Sequence, residues 1–188
     1  LTSPGPASLS PFWWGCLPPS RCAPLVTADV AHHATLVPSP LRVQEQDGYL
    51  QFSPITDEGI LLLDVFEVLL RLKPKLVAFT HVSNTLGTIN PVREMVEMAH
   101  AVGALVLVDG AQAVPHVPVD VQELDADFYP FSGNKMLPPM GSGGLWARGQ
   151  VQRGGAGGPS PANGVELFGH RGEELPLLDE PCSLQGTP

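Results

Sequence analysis

Two residues carry the chemistry that this chain most clearly offers. Asp109 closes the apolar run Ala104-Leu105-Val106-Leu107-Val108, and Lys135 ends Phe131-Ser132-Gly133-Asn134-Lys135. A lone lysine in a Ser/Gly loop can form a Schiff base with a cofactor aldehyde. A lone aspartate at a strand end can pair with a pyridinium nitrogen and keep it protonated, so that the ring accepts electrons. Together these are the requirements of pyridoxal 5'-phosphate (PLP) chemistry. The other lysines, Lys73 and Lys75, flank Pro74 in a charged turn and read as ordinary surface.

The segments around this pair must position it. Val65, Phe66, Val68, Leu69 and Leu72 recur with helical spacing, with Asp64 as N-cap and Pro74 as the stop. Leu76-Val77-Ala78-Phe79-Thr80 reads as a short buried strand. Pro91 opens a second helix in its first turn, with Val92, Met95, Val96, Ala99 and Val102 as its apolar stripe and Gly103 as its cap. Ala104 to Val108 is the next strand, and a helical crossover between two strands implies parallel pairing. Asp127 to Phe131 and Gly144 to Ala147 read as two further strands around the lysine loop. The expected fold class is α/β, a mostly parallel sheet with flanking helices and disordered ends.

Ligands of open parallel sheets bind beyond the carboxyl ends of the strands. Three strands deliver polar clusters to that edge: Thr80-His81-Val82-Ser83-Asn84, then Asp109 with Gln112, then Ser132 with Lys135. Each has an ordinary alternative. Asp109-Gly110 and Ser132-Gly133 are also turn sequences, Asn84 suits a loop cap, and His81 suits a satisfied histidine beside a strand. Their occurrence at three successive strand ends favours a site.

Composition bounds the rest. The chain has 188 residues, enough for one domain with a core. Lys+Arg total 10 against Asp+Glu 19, a formal charge of −9, which argues against a nucleic-acid surface. No apolar run approaches the ~20 residues of a membrane span. No basic start precedes an apolar stretch, so a cytoplasmic setting is expected. Cys16, Cys22 and Cys182 form no paired framework and no zinc spacing, so no metal is expected. Composition divides the chain into a Pro-rich flank over 1–24, a middle of alternating helix-like and strand-like segments, and a Gly/Pro-rich tail over 149–188. Both ends are too poor in apolar residues to offset their chain entropy.

Residues 75–148 resemble the central cofactor-domain segment of SUF-type cysteine desulfurases, in the class V aminotransferase group of fold-type I PLP enzymes. The matching stretches are Thr80-His81-Val82-Ser83-Asn84-Thr85-Leu86-Gly87, Val108-Asp109-Gly110-Ala111-Gln112-Ala113, Asp127-Phe128-Tyr129 and Ser132-Gly133-Asn134-Lys135-Met136, in the family's order and spacing. Upstream, His32-His33-Ala34-Thr35-Leu36-Val37-Pro38 resembles the family's histidine pair before a proline. The resemblance implies part of a PLP-dependent transferase large domain, with a partial PLP-binding large domain over 25–148, and it implies roles. Lys135 would carry the cofactor and move the proton at Cα, and Asp109 would hold the ring nitrogen. Gln112 would bond the phenolic oxygen, and His32 would stack on the ring. Ser132 would contact the phosphate, Asn134 would make a weakened contact to phosphate or substrate, and Asn84 would line the substrate and cofactor pocket. The implied reaction converts L-cysteine to L-alanine and leaves persulfide sulfur on an enzyme cysteine, for iron–sulfur cluster assembly. The implied partners are L-cysteine or a similar amino acid, a second copy of the chain and a sulfur-acceptor protein, with no nucleic acid and no membrane.

The chain also departs from the family pattern. Asn134 replaces the usual histidine before the lysine, Pro138 stands where glycine is usual, and Pro130 removes a ladder donor near a strand end. The family's small domain, with its nucleophilic cysteine and carboxylate-clamping arginine, is not recognisable; neither Cys182 nor Arg171 suits those roles. The chain therefore reads as a partial or decayed copy, expected to desulfurate cysteine weakly or not at all. Two alternatives stand beside this reading: a selenocysteine lyase or other class V aminotransferase, and a non-catalytic truncated fragment.

Overall fold

In a computed structural model, the structure describes residues 24–29, 31–32, 39–40, 43, 48–136 and 143–148, and the backbone of 163–168. Seven strands form one sheet in the order β2-β1-β3-β4-β5-β6-β7. They are β1 (Pro24–Ala28), β2 (Tyr49–Ser53), β3 (Leu76–Thr80), β4 (Leu105–Asp109), β5 (Phe128–Ser132), β6 (Gly143–Arg148) and β7 (Asn163–Phe168). The pairings from β2 through β5 are all parallel, whereas β6 and β7 run antiparallel to their neighbours. The expected α/β class is present, and the strands anticipated around Phe79, Val108, Phe131 and Ala147 lie within a residue or so of their predicted bounds. β7 falls within the Gly/Pro-rich stretch 149–188, where the sequence pattern announced no element. β1 and β2 were also unannounced; Pro24 is tolerated as the first residue of its strand.

Helix α1 (Leu63–Leu70) and helix α2 (Val92–Ala101) pack on one face of the sheet. Along α2 the predicted stripe holds: Val92, Met95, Val96 and Ala99 are buried and Val102 packs against them. Its end is a Schellman motif. Gly103 has φ +79, its N–H donates to the His100 carbonyl at 2.9 Å, and the Ala104 N–H donates to the Ala99 carbonyl at 3.1 Å. Pro91 is the N-cap of this helix, one position earlier than its predicted place in the first turn.

Helix α1 differs from expectation in two ways. Its N-cap is Leu62, which is extended, and Asp64 sits inside the first turn, where its charge interacts favourably with the positive end of the helix dipole. The cause is a tight preceding turn: the Leu62 N–H donates to the Pro54 carbonyl and Ile55 bridges Leu61, so the helix must start before Asp64. The buried face also turns away from Val68 and Leu72, which are 54% and 43% exposed. Phe66 of the predicted face is buried, joined one helical turn on by Leu70, and Phe66 meets Phe79 of β3 edge to face at 6.4 Å.

The two sheet faces have separate cores. Val77, Phe79, Val106, Val108 and Tyr129 lie under the helices. Leu76, Ala78, Leu107, Phe128 and Leu145 face the other way. This is the alternation of buried strands with both faces covered. Pro130 has a visible effect. Its carbonyl accepts from the Gly110 N–H at 2.9 Å, so its polar side faces β4, and there the ring withholds a donor. Pairing of β4 with β5 is reduced to Leu107↔Phe128, while β5 keeps five pairs with β6.

At the amino edge of the parallel strands, Asp127 gathers a structural charge cluster. Its Oδ2 accepts from the Val106 N–H at 2.8 Å and lies 2.9 Å from His100 Nε2, and its Oδ1 lies 3.4 Å from Arg148 Nε. Among the described residues no helix is long and apolar enough to cross a membrane.

Candidate active site

The site lies at the opposite, carboxyl edge. There β3, β4 and β5 deliver their polar ends to one recess, lined by His32, Thr80, Val82, Asn84, Asp109, Ala111, Gln112 and Lys135. Of the sequence-predicted residues, Lys135, Asp109, Gln112, Asn84 and His32 meet there. Ser132 and Asn134 stand beside it, in and just after the end of β5.

Asp109 is the last residue of β4 and is 4% exposed. Its Oδ1 accepts from the Ala111 N–H at 2.9 Å, a local turn that aims the carboxylate. Burial pushes its carboxyl above the usual carboxylate range. The Ala111 N–H and the charges of His32 and Lys135 oppose that rise without cancelling it. An acid so placed is stabilised in its charged form by a cation brought into the recess.

Lys135 ends a single 3-10 turn, Gly133–Lys135, directly after β5. Ser132 is buried, and its hydroxyl donates to Asn134 Oδ1 in the same turn. That bond holds the two side chains against each other next to the lysine. Asn84 is exposed at the rim. Its loop is wound around Ser83, whose Oγ accepts from the Thr85 and Leu86 N–H groups while its carbonyl accepts from the Gly87 N–H. Gln112 is half-buried, and its carbonyl faces His116 Nδ1 at 2.6 Å. His32 is half-buried and follows β1 closely, and β1 lies beside β3. Chain topology thus brings His32 to the rim from far along the sequence. Pro138, Arg171 and all three cysteines lie outside the described residues.

Sequence reasoning placed Thr80 at the edge without a role. The structure shows it 3% exposed and lining the recess, and its hydroxyl has no hydrogen-bond partner among the described residues. A buried unpaired hydroxyl is costly unless something supplies its partner. The signal was available: Thr80 ends a strand whose neighbour ends in Asp109. This orphaned hydroxyl, the raised Asp109 carboxyl and the Lys135 amine form a donor set that fits PLP: a cationic ring nitrogen for the carboxylate and an aldehyde for the amine.

Comparison with known proteins gives the same direction. The family "Aminotransferase class-V" matches residues 19–157. The chain is 50% identical over 122 residues to a probable cysteine desulfurase of Mycolicibacterium paratuberculosis, covering 65% of this chain and 18% of that protein. It is 49% identical over 127 residues to a cysteine desulfurase of Dickeya dadantii, covering 68% and 31%. Among solved structures, the cysteine desulfurase CsdA of Escherichia coli superposes with a TM-score of 0.75 at 27% identity, covering 82% of this chain and 39% of that one. An apo cysteine desulfurase of Thermococcus onnurineus gives 0.71 at 35% identity, covering 79% and 38%. The chain therefore spans less than a third of the length of these two curated relatives.

Proposed function

Because this chain belongs to the aminotransferase class-V family, we propose that it is the cofactor-holding part of a PLP-dependent, cysteine desulfurase-like protein. The observation that carries this reading is the meeting of Lys135, Asp109 and His32 in one recess. The proposed parent reaction converts L-cysteine to L-alanine and passes the sulfur to an enzyme cysteine as a persulfide, for iron–sulfur cluster assembly. Residues 25–148 form the large-domain part, with 1–24 and 149–188 as flanks. The protein would work in the cytoplasm with a second copy of itself and a sulfur-acceptor protein.

When bound, PLP supplies an electron sink for the bonds at the substrate Cα. The chain's own residues do the rest. Asp109 holds the ring nitrogen in its protonated state, which a carboxylate does best when water is excluded, as it is here. Lys135 would hold the cofactor covalently and would move the proton at the substrate Cα. His32 covers the ring. Gln112 donates to the phenolic oxygen, and Asn84 lines the substrate side. Ser132 and Asn134 bind the phosphate. In place of the family's histidine, Asn134 offers amide N–H groups but no titratable charge.

The test is an absorption spectrum of the purified chain incubated with PLP and freed of excess cofactor, beside Lys135→Ala. The expected result is a visible band that borohydride fixes onto Lys135, located by peptide mass mapping, and that Lys135→Ala lacks. No band, or an equal band in the variant, overturns the reading. With the band in hand, alanine release from L-cysteine by this chain is expected to be weak or absent, and steady release that Lys135→Ala lacks would overturn that expectation.

A further inference from the structure

Behind Asp109, on the helix-covered face of the sheet, lies a buried pair that no part of the proposed chemistry uses. Side chains alternate along β4, so Asp109 shares the face of Leu107, while Gly110 continues the face of Val108. On that second face the Tyr129 ring is packed against Gly110. A Cβ at Gly110 would lie 1.9 Å from Tyr129 Cε1 and 2.7 Å from its hydroxyl oxygen. The hydroxyl in turn lies 2.8 Å from His81 Nδ1, with the two rings edge to face at 6.1 Å. The backbone closes the circuit, since the His81 N–H donates to the Asp109 carbonyl at 2.9 Å.

Burial makes this bond hard to replace. Tyr129 is 1% exposed and His81 9%. Burial pushes the His81 imidazole down, and burial together with the nearby Asp109 carboxylate pushes the Tyr129 phenol up. Both groups are therefore neutral around pH 7 and share one buried hydrogen bond.

We infer that the His81–Tyr129 pair is a positioning device for Asp109. It ties the ends of β3, β4 and β5 together and clamps the Asp109-Gly110-Ala111 turn from behind, so that the carboxylate stays aimed into the recess. Neither residue touches the reacting atoms. The inference rests on the proposed PLP reading for its purpose, and on geometry alone for the clamp.

Tyr129→Phe keeps the ring under Gly110 and removes only the hydroxyl. In the cofactor-free chain, the Ala111 amide, which donates to Asp109 Oδ1, is expected to exchange with solvent about tenfold faster, while the Val77 amide in the core stays unchanged. In the PLP-treated chain, the variant is expected to show a displaced visible band and about tenfold weaker cofactor retention. His81→Asn, which keeps a polar atom near Nδ1, should restore both signals relative to His81→Phe, and this pair decides the matter if Tyr129→Phe does not fold. Wild-type behaviour of Ala111 exchange in Tyr129→Phe, or equal behaviour of the two His81 variants, overturns the inference. Absence of a PLP band in the wild type would instead overturn the proposed function, and the exchange arm would still decide the clamp.

Discussion

Thr80 and Asp109 stand opposite each other at the ends of β3 and β4, in register and on the same face of the sheet. One side chain is a buried hydroxyl without a partner among the described residues, and the other is a buried carboxyl pushed above its usual range. Both are costly to bury, and both are suited to a ligand that brings a cationic ring nitrogen and polar atoms. The arrangement trades stability of the free chain for binding.

Thr80→Val should therefore separate stability from binding. Valine keeps the shape and removes the orphaned hydroxyl, so the cofactor-free chain should gain about 1–3 kcal/mol in urea unfolding. PLP retention should fall. Thr27→Val is the control: Thr27 is also buried with a hydroxyl unpaired among the described residues, but it does not line the recess. It should stabilise the chain and leave PLP retention as it was.

The raised carboxyl of Asp109 fixes the sign of a pH effect. Between its ordinary range and its folded value, the native chain holds a proton that the unfolded chain has released. Stability of the cofactor-free chain thus falls as pH rises through that window. Asp109→Asn should remove this slope. Its melting temperature should exceed that of the wild type at neutral pH, and the gap should close as the pH falls to the ordinary carboxylate range. A gap that widens towards acid would contradict the assignment.

Gly110→Ala should be poorly tolerated for a packing reason, not a conformational one. The new methyl would meet the rigid Tyr129 ring at 1.9 Å. Either the ring or the Asp109 turn must move, at a cost of about 1–3 kcal/mol. Denaturant unfolding of Gly110→Ala beside Gly103→Ala distinguishes this from backbone strain, because a Cβ at Gly103 meets no atom within 4 Å, although φ there is +79.

Asp127→Ala should destabilise the fold without touching the recess. It leaves the Val106 N–H without its acceptor at the amino edge, while His100 and Arg148 keep the more exposed Asp125 carboxylate. The expected loss is about 1–3 kcal/mol, with the PLP band per folded molecule unchanged. A loss of the band at full stability would mean that the two edges are coupled.

Much of this protein was readable from its sequence because its signals are local. Continuous apolar runs marked β3 and β4, the stripe from Val92 to Val102 marked the helix between them, and a helical crossover forces parallel pairing. Parallel pairing sends every carboxyl end to one edge, so Asp109 and Lys135 could be placed together before any coordinates were known. Tertiary structure decided what depends on contacts far apart in the chain. The insertion of β1 between β2 and β3 brings His32 to the rim. The rotation of α1 buries Phe66 and Leu70 and leaves Val68 exposed, because its start is set by the turn from Pro54 to Leu62. The orphaned hydroxyl of Thr80 and the ring of Tyr129 behind Gly110 likewise arise only when three strand ends are packed side by side. Residue type and spacing state what a side chain can do; its burial and its partners are properties of the packed sheet.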